Sequence, residues 1–208
     1  MYLFNRARRA HPSKLLEAMG SAVEIAGKVN QITGLEISVW SVRFGRPAGT
    51  IMWSARLDSQ AQLFEANEKM MADATYMDMV MSMNELYEGT AEDRMASVIS
   101  GAPAEAPSKY VVTMEATMAN GKYAEAIEFG VAMQEFGHSE LDAPNMFAAA
   151  TYGGFADVVW LTGFDTPEQL DAGHEWQMTN PEFHERVKGA AGLFVEGSGA
   201  QGLIERIN

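Results

Sequence analysis

The chain repeats itself once. Trp53 and Trp160 stand 107 residues apart, and the same offset joins Asp58 to Asp165, Gln62 to Gln169, Leu63 to Leu170, Glu68 to Glu175, Met71 to Met178, Val80 to Val187 and Leu86 to Leu193. These 8 identities fall within the 37 positions from Ile51 to Tyr87, where ordinary residue frequencies supply about 2 by chance. Tyr76/Phe183 and Tyr87/Phe194 are conservative pairs at the same spacing, and Tyr2/Tyr110, Lys14/Lys122, Glu17/Glu125, Ala18/Ala126 and Val23/Val131 align at 108. A period this long is a duplicated domain rather than a solenoid repeat.

Each copy reads in the same order. Tyr2–Arg9 and Lys109–Met118 are strand-like. His11-Pro12-Ser13 opens a helix whose buried stripe is expected at Leu15, Leu16, Met19, Val23 and Ala26. In the second copy Asn120 is the expected N-cap. Strand pairs follow at Ile37–Phe44 with Ile51–Leu57 and at Met146–Tyr152 with Asp157–Phe164. Two short helices then run to Tyr87 and Phe194, and closing strands are expected at Arg94–Ile99 and Gly202–Ile207. The order β-α-β-β-α-β describes an α+β, ferredoxin-like unit. Such a sheet carries helices on one face only and must cover the other. Two tandem units, 1–100 and 109–208, joined by a Pro-containing linker at 101–108, are therefore expected to pack their antiparallel sheets face to face as an α+β barrel.

Composition narrows the partners. Lys plus Arg number 15 against 28 Asp plus Glu, a net charge of −13. That suits neither nucleic acid nor an anionic membrane surface. The acidity is uneven: residues 1–100 hold 10 basic and 12 acidic side chains, residues 101–208 hold 5 and 16. Cysteine is absent, which excludes disulfides, thiolate nucleophiles and Cys-held metal. No apolar run is long enough to span a bilayer, and Met1–Ala10 lacks the core of a signal peptide. A cytoplasmic location is expected.

The segment from Trp160 through Asp165, Leu170 and His174 to Phe183 resembles the dimeric α+β barrel superfamily, which includes the antibiotic-biosynthesis monooxygenases and NIPSNAP-like proteins. Its pattern is a Trp on the third strand, an Asp-Ser or Asp-Thr turn, a helix carrying Leu and His, and a following aromatic residue. Trp53, Asp58, Leu63 and Tyr76 match as well, but Asn67 replaces the His. The resemblance implies a barrel fold and admits cofactor-free oxygenases, isomerases, cyclases, haem enzymes and non-enzymes alike.

His174 is the candidate catalytic residue. With Leu170 and Met178 it is expected to face the sheet, as a general base or hydrogen-bonding group. Asn67 is its counterpart in the first copy. His11, His138 and His184 are expected in a turn, a surface loop and an exposed helical position. No two histidines have helical metal-pair spacing. No metal or cofactor is expected, and haem enters only through the resemblance.

Arginines distinguish the copies. Arg6 and Arg8, Arg43, and Arg56 lie on three strands of the first copy, where the second has Met114, Ala116, Thr151 and Gly163. If these faces look into the barrel, they make one side of it cationic, with Glu115 as a prospective partner. Trp40, whose counterpart is Ala148, is a candidate wall of the same space. The expected function is therefore binding or conversion of an apolar or aromatic, anionic small molecule between the sheets, by cofactor-independent oxygenation, cyclisation or isomerisation. Arg6, Arg43, Arg56, Trp40 and Asn67 would bind it and His174 would act on it. The alternative is a non-catalytic protein that self-associates through the Met-rich stretch from Met70 to Met83, with Met79 and Met83 facing outward.

Overall fold

The computed structural model describes residues 1–208 apart from Glu105, which falls in the expected linker and lies outside the described residues. The elements are β1 (Tyr2–Ala10), α1 (Leu15–Thr33), β2 (Ile37–Phe44), β3 (Thr50–Leu57), α2 (Gln60–Ala72), α3 (Ala74–Met83) and β4 (Tyr87–Gly101). They continue as β5 (Tyr110–Thr117), α4 (Tyr123–Leu141), β6 (Asn145–Tyr152), β7 (Asp157–Phe164), α5 (Pro167–Thr179), α6 (Pro181–Lys188) and β8 (Ala200–Arg206). The class is α+β, and the β-α-β-β-α-β unit occurs twice. Two compact bodies result: unit 1 is Met1–Ser97 with Ile204–Asn208, and unit 2 is Val98–Leu203.

In unit 1 the strand order is β4-β1-β3-β2, with antiparallel neighbours. The C-terminal residues extend this sheet. Ile207 N–H donates to the Val39 carbonyl at 2.9 Å. The Asn208 side chain accepts from Val39 N–H at 2.9 Å and donates to the Ile37 carbonyl at 2.8 Å. In unit 2 the order is β8-β5-β7-β6. There Gln134, almost wholly buried on α4, accepts from the Ser100 hydroxyl at 2.5 Å and donates to the Asn145 carbonyl at 3.1 Å. Gly101 is required beside them: its φ is +79°, and a Cβ would fall 2.1 Å from the Asn145 oxygen.

One contact recurs in both units. Trp53 on β3 donates its indole N–H to the Ala22 carbonyl of α1 at 3.0 Å. Trp160 on β7 donates to the Gly130 carbonyl of α4, also at 3.0 Å. An aromatic ring lies 5.9 Å from each indole: Tyr87 in unit 1 and Phe194 in unit 2. The two tryptophans thus occupy the same strand of their units, as the repeat implies.

The copies divide volume differently around this anchor. Val39 pairs with Trp53, and Phe147 occupies the matching place opposite Trp160. The larger Phe147 leaves no room on the helix: a Cβ on Gly130 would sit 2.1 Å from its ring. Unit 1 has Val39 and therefore tolerates Ala22. The same exchange recurs lower down, where Leu57 and Ala66 of unit 1 become Phe164 and Gly173, a Cβ on Gly173 meeting the Phe164 ring at 2.8 Å. Large and small residues trade across one interface at nearly constant volume.

The helix registers differ from the sequence expectation. On α1 the buried residues are Ala18, Ala22, Ile25 and Ala26, and Leu16 is 84% exposed. Small residues face the sheet because the indoles need close approach of the helix backbone. Asn120 is not the N-cap of α4: Lys122 holds that position, as Lys14 does for α1, both without a side-chain cap bond. His138 lies on α4 rather than in a loop, although it is exposed as expected. β4 begins at Tyr87 rather than Arg94, with a register shift against β1 between Ala7 and Arg9.

The volume exchange predicts a coupled pair of substitutions. Gly130→Ala alone should destabilise by about 1–3 kcal/mol through overpacking, and Phe147→Val alone should cost a similar amount, roughly, through the void it leaves. The double variant copies unit 1. It should lose less than the sum of the singles by about 1–3 kcal/mol in urea unfolding. Additive losses would show that the two positions do not share one volume.

Candidate functional site

The residues expected at the site lie on different elements and differ in exposure. His174 and its counterpart Asn67 are both exposed. The buried positions are the preceding residues, Gly173 on α5 and Ala66 on α2. Met178 is 62% exposed. The buried face of α5 lies on the Gly173 side of Leu170 and not on the His174 side. The observed inner line instead runs Leu170, Gly173 and Trp176, and Trp176 stacks on Phe136 at 5.5 Å and Phe183 at 5.1 Å. His184 is exposed, with Nε2 2.8 Å from the Gln177 carbonyl.

Strand register separates the arginines. Arg6 and Arg8 pair with Trp53 and Ile51, whose side chains lie under the helices, so both belong to the helix-covered face. Arg43 alternates with Val39 onto that side too, but at an exposed strand end, where Nε donates to Glu205 at 2.7 Å. Arg56 alternates onto the opposite face with Met52 and Ser54. Trp40 shares that opposite face, buried, with its indole N–H donating to Ser54 Oγ at 2.8 Å. The expected single cationic face therefore does not form. The methionines also differ from expectation: Met83 is buried and Met79 packs on the core, while Met71 and Met81 are 58% and 66% exposed.

What unit 1 does bring together is a polar cluster beneath α3 and beside the anchoring indole. The Arg8 guanidinium lies 4.6 Å from the centroid of the Tyr87 ring. Its Nη1 donates to Asn84 Oδ1 at 2.8 Å. Its Nε is buried and has no hydrogen-bond partner among the described residues. Arg6 forms a two-pronged pair with Asp93, both contacts at 2.7 Å. Tyr76, on α3, feels the Arg6 charge.

Electrostatics keep the cluster cationic. Burial pushes the Arg8 pKa down, yet the guanidinium stays charged at neutral pH. Arg6 is held above its ordinary value by the hydrogen bond to Asp93. Burial raises both Tyr76 and Tyr87, so they remain neutral phenols. Tyr87 donates its hydroxyl to the Ala18 carbonyl at 3.1 Å.

Unit 2 lacks this chemistry. Ala116 stands for Arg8, Met114 for Arg6, Phe183 for Tyr76, Phe194 for Tyr87 and Ala191 for Asn84. Tyr76, Tyr87 and Asn84 were not candidates from sequence. The signal was present in the aligned copies, where conservative Tyr/Phe pairs conceal the gain of two hydroxyl groups beside two extra guanidinium groups. Among the described residues, no three His, Asp or Glu side chains gather to hold a metal ion. No helix there is long and apolar enough to cross a membrane.

Solved structures with the same fold are numerous. One from Fusobacterium nucleatum subsp. nucleatum, provisionally named a monooxygenase, covers 100% of this chain and 92% of its own at 8% identity, with a TM-score of 0.76. An anthrone oxidase-like protein covers 100% of this chain and 91% of its own at 13% identity and a TM-score of 0.68. A structure described as a major regulator of staphylococcal pathogenesis covers 100% of both at 8% identity and a TM-score of 0.62. These neighbours share the α+β architecture in which this chain carries the β-α-β-β-α-β unit twice. No family model matches the sequence, and no curated protein does. At these identities the superfamily likeness defines architecture, and the chemistry must come from the residues.

One cap positions Tyr76. Asp73 Oδ1 accepts from Tyr76 N–H at 2.8 Å, and Oδ2 takes the Lys28 ammonium at 2.9 Å. The hydrogen bond from Lys28, then that from the Tyr76 backbone, holds Asp73 below its ordinary 3.8. Asn180 makes the same cap in unit 2, accepting from Phe183 N–H at 2.9 Å. Asp73→Asn should therefore keep the cap and lose only the ion pair. A depressed carboxylate pKa stabilises the fold above its unfolded value and ceases to do so as pH falls through the folded one. The wild type should melt higher than the variant above about pH 4, and the two should converge in more acidic solution. A constant gap across a pH series of melting temperatures would contradict this assignment.

Proposed function

We propose that unit 1 binds a small aromatic molecule carrying an anionic or enolisable oxygen at Arg8, and oxygenates it without a cofactor. The observation that carries this reading is the buried Arg8 Nε–H, a charged donor without an acceptor, on a face that unit 2 leaves apolar. Buried donors are rarely left unpaired, and an incoming oxygen supplies the missing partner. The names of two structural neighbours, a monooxygenase and an anthrone oxidase-like protein, support this class of reaction.

The chemistry asks little of the protein. An anthrone-type substrate loses a proton from carbon and becomes an electron-rich enolate. Dioxygen takes its electrons and bonds to that carbon. The resulting peroxide takes up a proton; loss of the second hydrogen of that carbon as a proton then breaks the O–O bond, leaving one oxygen as the new carbonyl and releasing the other as hydroxide, which that proton converts to water. Arg8 stabilises the negative oxygen of the enolate in surroundings that burial has partly dried. Neutral Tyr87 holds the guanidinium plane from below, and Asn84 fixes its outer nitrogen. Arg6 is engaged by Asp93, so it sets the local potential while Arg8 makes the contact.

Oxygen uptake with a hydroxyanthrone provides the test, alongside thermal unfolding. Arg8→Ala copies Ala116 and should lower turnover about 10²–10³-fold while the fold persists. Arg8→Lys retains the charge without the planar fork and should recover only part of the loss. Full turnover by Arg8→Ala, or no uptake by the wild type with any hydroxyanthrone, would reject the reading.

A further inference from the structure

A concavity with acidic flanks lies on unit 1, beside the elements that carry the Arg8 cluster. It is an open groove of about 340 Å³ between α1 and the end of α3. Met83 and Leu86, both nearly buried, form its floor. Leu16, 84% exposed, forms an apolar rim. Glu17 and Glu24 flank it, with Ser21 between them and no basic side chain in the lining. Seven residues of α-helix separate the two carboxylates by about 10.5 Å along the axis.

The duplication shows that this groove is particular to unit 1. The counterpart of Ser21 is Phe129, which fills the corresponding space by packing on Trp160 at 6.5 Å and Phe194 at 5.8 Å. Glu24 becomes Ala132. Glu125, the counterpart of Glu17, is paired with Lys122 at 2.9 Å. Lys14 and Glu17 form no such pair, and no ion pair engages Glu17 or Glu24 among the described residues. Unit 1 thus has a hydroxyl where unit 2 has a ring, an unpaired carboxylate where unit 2 has a neutralised one, and an exposed leucine beside both.

We propose that this groove docks a basic amphipathic helix of a partner protein. An apolar floor between two acidic posts fits a helix laid along α1. Two Lys or Arg residues one heptad apart would meet Glu17 and Glu24, and a neighbouring apolar residue would cover the exposed Leu16. Charge complementarity sets the spacing of the two polar contacts, and the exposed Leu16 supplies the apolar contact. This surface adjoins the Arg8 cluster but uses none of its side chains, and it does not depend on that reading.

The test uses a fluorescent Ala-rich helical peptide with two lysines one heptad apart and a Leu pair between them. Its control has glutamine in place of both lysines. Anisotropy should show the lysine peptide binding the full chain more tightly than the control, and more weakly as salt rises. The Glu17→Gln/Glu24→Gln double variant should weaken it about threefold to tenfold. Ser21→Phe, which copies Phe129, should reduce binding by about tenfold or more, with the far-UV circular dichroism unchanged. The glutamine pair lies on an exposed helix face and keeps the test decisive if Ser21→Phe does not fold. Equal binding of the two peptides, absence of binding, or binding indifferent to the glutamine pair would overturn the proposal.

Discussion

The indole-to-helix hydrogen bond is the contact on which each unit depends. It ties the third strand to the middle of the first helix, at Ala22 in unit 1 and Gly130 in unit 2. A buried indole N–H needs an acceptor, and a carbonyl on the flank of a helix is reachable only if the helix comes close. Close approach dictates small residues on the buried stripe: Ala18, Ala22 and Ala26 in α1, Ala126 and Gly130 in α4. It also sets the volume rule across the strand, where Val39 permits Ala22 and Phe147 demands Gly130.

This explains which parts of the structure were legible in the sequence. Element order, the duplication and the placement of Trp53 and Trp160 were all readable, because aligned identities and alternating strands carry that information directly. Helix facing was not. Leu16 and His174 looked inward because apolar size and helical spacing were given more weight than close packing. The helices turn Ala and Gly toward the sheet instead, displacing the burial stripe by one residue or more. An alanine at a helix-sheet contact is as strong a burial signal as a leucine once a tryptophan beneath it requires the space.

The arginines failed as a group for a similar reason. Alternation assigns each strand two faces, but only the inter-strand register says which faces coincide. Arg6 and Arg8 stand opposite Trp53 and Ile51, while Arg56 lies one residue out of phase on β3. A shift of one residue moves a side chain through the sheet. The comparison between copies was more reliable than the comparison between strands. It identified the arginines as an asymmetry, and in the folded chain the same asymmetry extends to Tyr76, Tyr87 and Asn84.

That asymmetry gives the two units different physical character. Unit 2 packs Phe129, Phe147 and Phe194 around Trp160, whose indole N–H is satisfied by the Gly130 carbonyl. Unit 1 places Arg8 in the equivalent layer and only partly compensates it. Tyr87 meets the face of the guanidinium, Asn84 takes one nitrogen, and Nε remains unmatched. An unmade hydrogen bond of this kind costs about 1–3 kcal/mol, and Ala116 shows that the fold accommodates a neutral residue there. On the proposed reading the cost is recovered when a ligand oxygen reaches Nε, so the strain in unit 1 and its affinity for an anion have one origin. Duplication permits this arrangement: one copy can remain a well-packed apolar unit while the other carries a stability loss that binding offsets.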